Sequence, residues 1–101
     1  MESIYREDGI LVKNMKKIRV YTIKGCAYCH DLISSLIALN LPYHEVDVNL
    51  PQHEDEFSTL MGITGSDEIP IVVIEKRILA PNISFHTIEE LIHLITDLYI
   101  Y

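Results

Sequence analysis

The sequence predicts an α/β fold: one small four-stranded mixed sheet with helices on both faces, in the order β-α-β-α-β-β-α. Three observations carry this. An apolar, β-branched run (Ile18 to Ile23) leads into a helical stripe and then another strand-like run, a unit that implies a right-handed crossover and parallel pairing. The continuous apolar run Ile71 to Ile74 reads as a strand covered on both faces. The last stretch carries a helix start signal followed by a helical apolar face. At 101 residues the chain holds one domain with a single modest core.

In order, residues 1–16 show no clear period and read as an N-terminal extension, or an added edge strand around Ile10-Leu11-Val12, ahead of a domain over 17–101. The first helix is expected from Ala27 to Leu39, with Leu32, Ile33, Leu36 and Ile37 on its inner face, Asn40 at its end and Pro42 blocking continuation. Tyr43 to Val48 alternates as a second strand. Pro51 with Glu54, Asp55 and Glu56 starts a second helix, since proline fits the first turn and carboxylates complement the dipole. Phe57, Leu60 and Met61 form its buried stripe, and Gly62 and Gly65 are expected to break it. After Ile69-Pro70 and the third strand, Glu75-Lys76-Arg77 is too short for anything but an antiparallel return into Ile78-Leu79. Ala80-Pro81-Asn82 forms a loop. Thr87 and Glu90 then make a capping box for the last helix. Ile88, Leu91, Ile92, Ile95, Leu98 and Tyr99 trace its buried face; Glu89, His93, Thr96 and Asp97 face out.

The chemistry sits at Lys24-Gly25-Cys26-Ala27-Tyr28-Cys29, which holds both cysteines of the chain, two residues apart. The pair lies where a strand turns into a helix, with Cys26 near the helix N-terminus. Free amides and the dipole there favour a thiolate, and Lys24 adds positive charge. A thiolate with a second thiol in reach is what thiol–disulfide exchange requires: Cys26 attacks, a mixed disulfide forms, and Cys29 resolves it. Three rival readings are weaker. A structural disulfide across two residues constrains the unfolded chain very little. Zinc needs about four ligands, whereas His44, His53, His86 and His93 are scattered and no second CxxC exists. Cys-x-x-Cys-His, completed by His30, is the pattern of covalent haem attachment; it calls for an exported, mostly helical chain, and strand-like runs flank the motif here.

Hydrophobic content of 49% with 23% charged residues describes a globular domain. No apolar signal core opens the chain and no run approaches membrane-spanning length, so a reducing cytoplasm is the expected compartment. A net charge of −7 argues against nucleic acid as a partner.

A CxxC after the first strand of such a unit marks a thioredoxin-like redox motif, and the local residues go further. Lys24-Gly25-Cys26-Ala27-Tyr28-Cys29 resembles the dithiol glutaredoxin active site, where Cys-Pro-Tyr-Cys is usual, and Glu68-Ile69-Pro70 stands where the family has Thr-Val-Pro. The resemblance covers about Lys17 to Tyr101. It implies a thioredoxin-like, glutaredoxin-type fold in a monomer that reduces protein disulfides or glutathione mixed disulfides, with Cys26 as nucleophile and Cys29 as resolving thiol. Lys24 and Tyr28 match residues flanking bound glutathione, Pro70 matches the family's cis-proline, and Ile69 would offer its backbone to an extended substrate. Glutathione is the implied electron donor, without a metal; a flavoprotein reductase such as thioredoxin reductase serves other redoxins of this fold. Three departures stand out: Ala27 replaces the motif proline, Asp67 and Glu68 bring carboxylates to the expected seat of glutathione, and Ala80-Pro81 replaces a Gly-Gly pair, with Ser84 or Thr87 as substitute donors. Two alternatives follow from these: a 2Fe–2S cluster held between two copies by Cys26 and external thiols, or a non-catalytic adaptor with inert cysteines.

Overall fold

A computed structural model describes residues 16–100; the first fifteen residues of the expected extension, including Ile10-Leu11-Val12, lie outside the described residues. The elements are β1 (Ile18–Thr22), α1 (Ala27–Ala38), β2 (His44–Asp47), a single 3-10 turn (Pro51–His53), α2 (Glu54–Thr64), β3 (Ile71–Ile74), β4 (Arg77–Leu79) and α3 (Ile88–Ile100). They follow the expected order and build one sheet in the order β2-β1-β3-β4.

Pairing directions follow from connection length. β1 and β2, joined through α1, run parallel with Val20 opposite Glu45. β3 and β4, joined by two residues, run antiparallel with Val73 opposite Ile78. β1 and β3 are antiparallel with Val20 opposite Val72, which makes β1 a central strand flanked by partners on both sides.

Alternation along the central strands creates two cores. Ile18, Val20, Val72 and Ile74 point to one face, where Leu32 and Leu36 of α1 and Leu91 and Ile95 of α3 cover them. Tyr21, Val46 and Ile71 point to the other, against Leu60 and the half-buried Phe57 of α2. Val72 and Ile71 are each fully excluded from solvent, as the unbroken run in β3 required. Helices therefore lie on both faces.

The ends of the helices show what the chain pattern did and did not carry. Asn40 adopts φ 56° just past α1, and Gly65 adopts φ 71° as the cap of α2. Gly62 does not break α2: it is an exposed residue within the helix, where a glycine costs only about 1 kcal/mol, less than the packing of Leu60 supplies. Ile37 was expected inside but is 60% exposed, because the stripe that meets the sheet is carried by Leu32 and Leu36. The capping box is formed: Thr87 Oγ1 accepts from Glu90 N–H at 3.1 Å while Thr87 N–H donates to Glu90 Oε1 at 3.1 Å. Such a cap is worth about 1 kcal/mol.

On the α2 face, Tyr21 O–H and Arg19 Nη2 both donate to Glu56 Oε2, and His53 Nδ1 lies 3.6 Å from the other carboxylate oxygen. Burial, together with the adjacent Glu56 carboxylate, pushes the Tyr21 phenol well above its ordinary range. The folded state thus holds this proton more tightly than the unfolded chain. Its contribution is complete below the ordinary tyrosine value near 10 and is lost as pH rises beyond it. Denaturation midpoints should accordingly fall on going above about pH 10, and Tyr21→Phe should flatten that alkaline slope.

Candidate active site

The cysteine turn is built by the exit from β1. Thr22 ends the strand, Ile23 leaves the ladder, and its carbonyl accepts from Cys26 N–H at 3.3 Å. Gly25 takes φ 83°, a left-handed conformation that suits glycine, and lets the chain reverse within this short link. Cys26 then sits at the N-cap of α1 with extended φ and ψ of −89° and 112°. Its sulfur fills the place of the usual capping oxygen, since Cys29 N–H donates to Cys26 Sγ at 3.1 Å. An amide aimed at the sulfur from the positive end of a helix favours its anion once the pair is reduced.

Cys26 and Cys29 are joined as a disulfide, with Cα atoms 5.2 Å apart. The two sulfurs are not equivalent: Cys29 is only 4% exposed and packs on the inner face of α1, whereas Cys26 is half-buried and open to approach. Attack from or upon solvent therefore reaches Cys26 first. The hollow in front of it is lined by Ile23, Lys24, His30, Asp31 and Glu45, with His30 exposed on the helix surface. Glu45 enters from β2 and is steadied by the buried Thr22, whose hydroxyl donates to its Oε2 at 2.8 Å. Neither residue was singled out by the sequence, because only the parallel β1–β2 register brings them together.

The Ile69–Pro70 bond is cis, as the resemblance implied. Tyr21 pairs with Ile71, so Pro70 stands beside the end of β1 from which the cysteine turn departs. A groove of about 380 Å³ continues from there, lined by Tyr28, Glu68, Ile69, Pro70, Asn82 and Thr87 among others. Tyr28, 66% exposed, links the groove to the cysteine turn. Lys24 stays on the side of the hollow, outside the groove lining.

The segment replacing the expected glycine pair is ordered by its own contacts. Asn82 N–H donates to Phe85 O at 2.8 Å, and Phe85 is buried in the core of the α1–α3 face. The substitute donors proposed from the sequence are already engaged. Ser84 Oγ accepts from Ala80 N–H at 3.2 Å and donates to Ile78 O at 3.4 Å, and Thr87 Oγ1 serves the cap of α3.

The family model for glutaredoxin matches residues 18–79. Among solved structures, buckwheat glutaredoxin in complex with glutathione aligns with a TM-score of 0.62 at 16% identity, over 81% of this chain and 70% of that one. Glutaredoxin from Archaeoglobus fulgidus aligns with a TM-score of 0.61 at 18% identity, over 80% and 87%. A thioredoxin-like protein aligns with a TM-score of 0.61 at 28% identity, over 77% and 97%. A comparison with curated proteins finds no match. The thioredoxin-like fold of these structures is the fold described above, and a family model spanning more than half of the chain, cysteine pair included, decides the assignment: this chain belongs to the glutaredoxin family of thiol–disulfide oxidoreductases.

Proposed function

We propose that the chain is a dithiol oxidoreductase acting on protein disulfides, or on mixed disulfides with glutathione, through Cys26 and Cys29. The supporting observation is the asymmetry of the pair: a reachable Cys26 at a helix N-cap, bonded to a buried Cys29 three residues on. In the reduced protein, the Cys26 thiolate attacks a substrate disulfide and expels one substrate thiol, leaving a mixed disulfide. The Cys29 thiol, once deprotonated, attacks Cys26 Sγ, releases the second substrate thiol and closes the internal disulfide. Two electrons pass from the protein to the substrate. Lys24 keeps positive charge beside the attacking sulfur, Tyr28 and Pro70 wall the substrate groove, and Ile69 offers its backbone to an extended substrate.

Regeneration requires an external thiol. The family's glutathione-bound buckwheat member supports glutathione in that role, whereas a flavoprotein reductase would need no seat for it. Supplying NADPH with either glutathione and its reductase or thioredoxin reductase distinguishes the donors. Sustained turnover with the first pair is expected; turnover with thioredoxin reductase alone would reassign the donor. The work is that of a monomer in a reducing compartment, the cytoplasm. If Cys26 instead shared a 2Fe–2S cluster with a second copy and external thiols, anaerobic reconstitution would give colour and a dimer.

A further inference from the structure

The groove beside the cysteine turn has an electrostatic character that bears on its substrates. Glu68 stands on its wall with its carboxylate held by Asn82, whose Nδ2 donates to Oε2 at 3.0 Å. The backbone is pinned as well, since Glu68 N–H donates to Ser66 Oγ at 3.1 Å. At the far side the groove runs along the start of α3, where free amides would ordinarily attract an anion. Two backbone donors just ahead of that start are taken: His86 and Thr87 N–H both donate to Glu90 Oε1, at 2.9 and 3.1 Å. Pro81, also on the wall, has no N–H to give. Glu68 is the one acidic side chain among the residues that line the groove, which include no lysine or arginine. The hollow in front of Cys26 carries Lys24 together with Asp31 and Glu45.

We propose that this groove selects disulfides whose cysteines are flanked by lysine or arginine, with Glu68 as the specificity-determining residue and Asn82 as its positioning partner. The inference rests on the oxidoreductase reading above and names the substrate class of that same site. A basic side chain lying along the groove meets the fixed Glu68 carboxylate, while the exposed face of Tyr28 receives a cation at the end nearest the cysteines. An anionic substrate meets the same carboxylate.

The test needs no external donor. Fully reduced protein is mixed with one of two short peptide disulfides, identical except that lysine or glutamate flanks the cysteine. In each turnover one peptide disulfide becomes two peptide thiols while Cys26 and Cys29 become a disulfide. Rates are divided by those of dithiothreitol with the same peptide, which removes the peptide's intrinsic reactivity. The lysine peptide should react about tenfold faster at low ionic strength, with the ratio shrinking toward one in high salt. Glu68→Gln should reduce the ratio severalfold and Glu68→Lys should invert it. Since Glu68 is exposed, neither change disturbs the core. Equal normalised rates in the unaltered protein, or a ratio that Glu68→Lys leaves unchanged, would overturn the selectivity while leaving the oxidoreductase intact. Failure of both peptides to oxidise the protein would bring down the oxidoreductase reading itself.

Discussion

Cys26→Ser should lower the rate of disulfide reduction on the order of a thousandfold or more, because a serine hydroxyl supplies almost no anion at neutral pH and cannot form the mixed disulfide. Cys29→Ser should behave differently. Its Cys26 remains reachable at the N-cap and still attacks, but nothing resolves the product. Mass spectrometry should then find a substrate thiol held covalently on the Cys29→Ser protein and none on the Cys26→Ser protein. The contrast follows from burial: an incoming disulfide meets Cys26, while Cys29 at 4% exposure is reached only from within the turn. Comparable adduct formation through Cys29 in the Cys26→Ser variant would reverse the assignment of roles.

Leu91→Ala should cost about 2–5 kcal/mol, read as a lower denaturant midpoint at unchanged slope. Leu91 is fully excluded from solvent in the first half of α3 and packs with Ile18, Leu36 and Ile95 in the core between helices and sheet. Removing its branched end leaves a hole that neighbouring β-strands cannot collapse into. Against a total of about 5–15 kcal/mol for a domain of this class, the loss is a large fraction. Ile37→Ala provides the control: at 60% exposure it should stay within about 0.5 kcal/mol of the parent. A similar loss at both positions would mean that α1 is seated differently on the sheet.

Much of this was legible in the chain itself. Two residues between Ile74 and Arg77 force an antiparallel return, and a helix between β1 and β2 brings them back parallel. The capping box at Thr87 and the stripe ending at Tyr99 mark α3 in the sequence. The cysteine spacing marked the reactive turn. What escaped depended on partners distant in sequence. Ile37 has the right character for an inner face, but only the placement of β1 and β3 shows which side of α1 is covered. Gly62 looks like a breaker in isolation, and α2 runs through it because Leu60 and Phe57 anchor the helix to the sheet. The Arg19–Glu56–Tyr21 group joins residues more than thirty positions apart. The engagement of Glu90 was half visible: its bond to Thr87 follows from the motif, whereas its second bond, to His86, withdraws a further amide from the groove.

The central position of β1 ties the emergence of chemistry to the order of synthesis. Its two neighbours are β2, made soon afterwards, and β3, which arrives some fifty residues later. A nascent chain ending short of Ile71 carries both cysteines yet lacks the strand that closes the sheet beside them. On the ribosome, therefore, the cysteine pair emerges well before the β3–β4 hairpin that completes the sheet beside it.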